Sequence, residues 1–162
     1  PFEFKNMVTI ALRIGEFAWV EKFIPSHLKY LLPEHRVNAE TYTMGNYHFF
    51  RKDYKSTLRL FQQVEFTDVF YALDVRSILL KIYFEQQDED LFFYQASSFR
   101  TFLSRHKQVS AYQRTIYKNF IRFAALLLKA DGETQKLAAI ARELEEVKQV
   151  ADIRWLREKC NG

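Results

Sequence analysis

The sequence predicts an all-α fold, a stack of antiparallel helix pairs with about eight or nine helices, on three observations. Apolar residues recur at helical spacing along almost the whole chain, without a convincing run of the strict alternation that marks a half-buried strand. Only 4 Gly and 3 Pro occur in 162 residues, too few breakers for a chain of short strands and turns. Corners repeat as well: Phe17, Tyr54 and Leu91 follow one another at intervals of 37 residues, and each comes directly after an acid, Glu16, Asp53 or Asp90. A single amphipathic pair cannot bury its apolar side, so repeated corners predict pairs that lean on their neighbours.

The first helix is expected over residues 2–14, ending at Gly15, because glycine best tolerates the left-handed conformation that closes a helix. The second runs over 17–32, with a kink or break at Pro25 and Pro33 as its stop signal. The third and fourth cover 35–51 and 54–64 around the polar corner Lys52-Asp53. Connections this short make the joined helices neighbours. A turn at Thr67-Asp68 precedes the fifth helix, 69–85, and the acidic run Asp88-Glu89-Asp90 precedes the sixth, 91–105. Ser110 is placed to cap a seventh helix that reaches Lys129, since its hydroxyl can accept from the free amides of the first turn. After Asp131-Gly132, an eighth helix capped by Thr134 or Asp131 spans 135–150, and a ninth spans 153–159.

The length suits one domain over residues 1–162, with three helix pairs in 1–106 and divergent helices in 107–162. Starting at Pro1 without an initiator Met, the chain reads as part of a longer protein. Hydrophobic residues at 48% and charged residues at 27% exclude a disordered chain. No apolar run approaches the roughly 20 residues that span a bilayer, so no membrane partner is expected. The lone Cys160 excludes an internal disulfide framework and fits a reducing, cytoplasmic compartment. A net charge of +4 is too small to argue for nucleic acid by itself.

Met44-Gly45-Asn46-Tyr47 followed by Phe50-Arg51-Lys52-Asp53-Tyr54 resembles the first helix and corner of the tetratricopeptide repeat family, with a small residue eight positions before the acid of the corner. Asn6 through Gly15-Glu16-Phe17 is similar in the preceding pair, and Leu32-Pro33 sits where that family often ends a repeat. The resemblance covers about residues 2–106. It implies a right-handed α-solenoid whose concave face is lined by the first helix of each pair and holds a protein or peptide. On that implication the partner-binding residues are Lys5, Thr9, Leu12 and Arg13, then Tyr42, Asn46 and Phe49, with Arg76 and Tyr83. Asn46 stands where some members hold a terminal carboxylate, but Thr9 and Tyr42 depart from that pattern.

Chemistry-bearing patterns are sparse. His27, His35, His48 and His106 lack the spacing that puts two imidazoles and a base on one helical face, and four scattered glycines cannot build a phosphate loop. Asp88-Glu89-Asp90 lacks the alternating oxygen ligands of a calcium loop and reads instead as a cluster favoured by a helix N-terminus. No catalytic residue, metal or cofactor is therefore expected. An alternative partner surface is the stripe Arg114, Lys118 and Arg122, whose i, i+4 steps stack three cations on one face that could meet nucleic acid or another acidic partner. The apolar stripe Leu137, Ile140, Ala141, Leu144 and Val147 can either close the end of the stack or pair with a second copy as a homodimer.

Overall fold

A computed structural model describes residues 2–66 and 69–162. Among these residues there are nine α-helices and no strand: α1 (Phe2–Arg13), α2 (Phe17–His27), α3 (Pro33–Phe50), α4 (Tyr54–Phe61), α5 (Val69–Glu85), α6 (Glu89–Arg105), α7 (Ala111–Ala130), α8 (Thr134–Glu146) and α9 (Ile153–Cys160). The all-α class is thus observed; the turn expected at Thr67-Asp68 lies outside the described residues. The chain divides into two compact units, Pro1–Ile78 and Leu79–Gly162.

Three corners are built alike. Each first helix is closed, two positions past its last residue, by a residue of positive φ, Gly15 (83°), Lys52 (61°) or Gln87 (55°). The next N–H reaches back five residues: Glu16 to the Ala11 carbonyl (2.9 Å), Asp53 to His48 (2.9 Å) and Asp88 to Tyr83 (3.1 Å). These bonds satisfy carbonyls that a helix end would otherwise leave open. Carboxylates of Asp53 and Asp88 then accept from the amides of Ser56 (3.1 Å) and Leu91 (3.0 Å), opening α4 and α6. Expectation and structure part at the third corner, which turns at Asp88 and not at Asp90. Glu16 to Asp53 is 37 residues and Asp53 to Asp88 is 35, so the even period does not persist. The cap is the residue directly after the left-handed one, and Gln87 fixes which of three acids that is.

Both prolines behave differently from expectation. α2 continues through Pro25 to His27 and then tightens into a 3-10 turn at Leu28–Tyr30, so the break falls three residues later. Pro33 starts α3 in place of ending α2; its fixed φ suits a first turn, where its missing N–H has no helical partner to lose. Farther on, Ser110 and Gln113 form a reciprocal capping box at α7. Glu133 holds the cap position of α8, while Asp131 closes α7 in a left-handed conformation, and α8 stops at Glu146.

In the first unit Phe4, Val8 and Leu12 of α1 pack with Val20, Phe23 and Ile24 of α2 and with Ala39 and Tyr47 of α3. α4 lies so close to α3 that a Cβ on Gly45 would overlap the buried Phe61 ring, and the Thr57 hydroxyl donates to the Gly45 carbonyl (3.2 Å). In the second unit Phe92, Ala96, Phe99 and Leu103 of α6 and Phe120, Ile121, Phe123 and Ala124 of α7 are buried. Leu156 of α9 is fully buried, and Trp155 meets the rings of Phe84 (5.0 Å) and Phe120 (5.9 Å). Ile140 and Leu144 from the apolar stripe of α8 are buried too, in a helix that packs on α7 and α9.

Candidate functional site

The first helices of the first unit do not present the expected row of side chains to solvent. Lys5 on α1 is 6% exposed, and its ammonium pairs with Asp74 on α5 while lying over the rings of Tyr42 (5.2 Å) and Tyr71 (5.1 Å). The Tyr42 hydroxyl donates to the same carboxylate at 3.0 Å, and its ring meets Tyr71 edge-on at 4.8 Å. Burial, then the Asp74 charge, holds the Tyr42 phenol well above its usual pKa. Phe2 and Phe70 make a second contact between α1 and α5, edge-on at 5.9 Å. Ala39, Thr43 and Asn46 along α3 are all nearly inaccessible. Asn46 donates to the Tyr42 carbonyl of its own helix (3.1 Å). Lys5, Tyr42 and Asn46, expected on a concave binding face, are therefore interior side chains, as is Leu12. For Lys5 and Tyr42 the ion pair and ring cage let a cation be desolvated between helices, whereas Leu12 belongs to the apolar core shared with α2 and α3.

The other expected residues remain partly or fully accessible. Arg13 is exposed; Thr9 is half-buried with its hydroxyl donating to the Lys5 carbonyl (2.9 Å). Phe49 is half-buried beside Phe50 and Tyr54. Arg76 is half-buried, and desolvation lowers its guanidinium pKa. Tyr83 belongs to the second unit, where burial and then Asp88 raise its phenol. Sequence reasoning missed Asp74 and Tyr71, the partners of Lys5. One signal was available: Asp74 is a lone carboxylate in the apolar run from Val69 to Val75, and an acid among apolar neighbours favours a cationic partner.

A different surface stands open on α1. Met7, Ile10 and Ile14, at helical spacing, are 47%, 60% and 70% exposed. Large apolar side chains in one row are more informative than single exposed ones, which every surface carries.

The basic stripe of α7 is mostly committed within the second unit. Arg114 donates to the carbonyls of Ser104 (2.9 Å), His106 (3.2 Å) and Val109 (3.1 Å), clamping the segment that leads into its own helix. Arg122 pairs with Glu143 of α8 at 2.5 Å and lies over the Phe123 ring. Lys118 is exposed. A second buried lysine, Lys81, pairs with Asp152 at 2.9 Å under the rings of Phe120 and Trp155. Cys160 is partly buried, and burial followed by the Glu145 charge pushes its thiol pKa up, against nucleophilic use. Among the described residues no group of three or more His, Cys, Asp or Glu is placed to hold a metal ion, and no helix is long and apolar enough to cross a membrane. No family model, curated protein or solved structure matches the chain.

Proposed function

We propose that this chain is a non-catalytic module that holds another protein or a peptide, and that its helix pairs stack as a right-handed solenoid of the tetratricopeptide type. The observation that carries the proposal is the open apolar row Met7, Ile10 and Ile14. Apolar area removed from water is the main driving force of protein association, and a site for reaction chemistry would instead gather convergent polar groups. The three alike corners support the stacking. The contact face differs from the concave one that the family resemblance implies, because Lys5, Tyr42 and Asn46 are spent inside the first unit. Nor is the basic face of α7 favoured for nucleic acid or another acidic partner, since Arg114 and Arg122 already serve internal bonds.

Selection of peptides from a displayed library against the intact chain tests the proposal, followed by affinity measurement on Ile10→Glu. That substitution sits on an exposed position and leaves the helix content intact. Selected peptides should lose at least about tenfold in affinity, which is about 1.4 kcal/mol. A library that yields no binder, or binders indifferent to both Ile10→Glu and Met7→Glu, would refute it.

A further inference from the structure

We infer that the open face of α1 receives an amphipathic helix pair of the same kind as α1–α2, docked as α1–α2 docks on α3. The inference rests on the protein-holding role proposed above and names the partner's chemistry. It follows from the register of the corners: with Glu16 matched to Asp53, Met7 and Ile10 of α1 and Ile14 just past its end correspond to Met44 and Tyr47 of α3 and Arg51 just past its end. On α3 the first two of these positions are covered, while Arg51, just past the helix end, is exposed. Met44 packs against the core formed with α1 and α2, and Tyr47 is 6% exposed with its ring edge-on to Phe17 of α2 at 6.1 Å. The Tyr47 hydroxyl also donates to Glu21 of α2 and accepts from Arg51 at 2.8 Å. The same positions on α1 lie bare, so the α1 face continues an interface that the chain has already built once.

The replacements specify the occupant further. Ile10 stands where Tyr47 offers a hydroxyl, and Ile14 where Arg51 offers a cation. A docking second helix should therefore keep a ring like Phe17 but carry an apolar residue at the position of Glu21, because a carboxylate there would meet no donor.

The test inserts residues 2–38 once more ahead of Phe2 in the full chain, so that the added segment runs from Asn38 into Phe2 without a proline inside the joined helix. The thermal midpoint should rise by about 3 °C or more, since a docked repeat adds an interface term. Amide exchange in the added pair should slow at least about tenfold relative to the same chain with Ile10→Glu in the receiving copy. Glu21→Leu in the added copy should raise the midpoint further. The inference is overturned by an unchanged midpoint with the added segment exchanging as free chain, or by Glu21→Leu lowering the midpoint. If that happens while selected peptides still depend on Ile10, the helix-pair inference alone is lost; if they do not, the protein-holding role is lost with it.

Discussion

Breaking the Lys5–Asp74 pair from its two ends should have unequal effects. Lys5 is the more deeply buried partner, with 7% of its side chain exposed against 34% for Asp74. Asp74→Asn leaves an ammonium enclosed between two rings with its counter-charge gone. Removing one partner of a buried pair costs about 3–5 kcal/mol. The two ring contacts are present before and after the change and so cancel, and a loss of about 3–5 kcal/mol is expected. Lys5→Met keeps the length and apolar stem and leaves a carboxylate that is one-third exposed and still receives the Tyr42 hydroxyl. Its cost should be about 1 kcal/mol or less, in keeping with partly solvated ions. The double variant should resemble Lys5→Met, not the sum, because no unpaired charge then remains. Urea denaturation of the four proteins at neutral pH measures all three differences. Equal losses below about 0.5 kcal/mol for both single variants would mean that Lys5 is an ordinary solvated cation, and the interior assignment would fall.

Three further outcomes follow from the same contacts. Gly45→Ala should destabilise by about 1–2 kcal/mol, because the severe overlap with the buried Phe61 ring places overpacking at about 2–3 kcal/mol against a helix gain of roughly 1 kcal/mol; Phe61→Leu in the same chain should recover part of the loss in thermal melts. Tyr42 has a phenol pKa raised above its ordinary value of 10.0 by burial and by Asp74. The folded state therefore holds that proton more tightly; the stabilisation is complete below about pH 10 and fades as pH climbs toward the folded pKa. Urea midpoints at pH 9 and pH 11 should fall less for Tyr42→Phe than for the parent, and an equal fall would be contrary. Arg114→Ala should expose residues 105–110 to limited proteolysis at least about tenfold faster, whereas Lys118→Ala should not; equal rates would place Arg114 outside the clamp.

Local rules read most of the architecture from the sequence, and they failed where several residues satisfied the same rule. Gly15, Lys52-Asp53 and Ser110 carry the local chemistry of a helix end or start, and each stands where it was expected. Asp88 and Asp90 are alike as caps, and the left-handed conformation of Gln87 selects Asp88. Pro33 follows α2 and its 3-10 turn yet opens α3, a case where one residue fits both a stop and a start. The candidate surface was less legible. Lys5 and Asp74 lie 69 residues apart, and nothing in local spacing joins them. Helical periodicity assigns Lys5 and Tyr42 to a face of their helices but not to what covers it, and a cation on a helix face is ordinarily solvated. Met7, Ile10 and Ile14 were not singled out by spacing at all, because periodicity does not say which apolar face of a helix is left uncovered.

The most direct measurement is a nuclear magnetic resonance titration of the 15N-labelled chain with the tightest peptide selected against it. Amide shifts should cluster on α1 around Met7, Ile10 and Ile14 and leave Ala39, Thr43 and Asn46 unmoved. Shifts centred on Ala39, Thr43 and Asn46, with α1's open row silent, would mean that the inner face of α3 is the one that holds the partner.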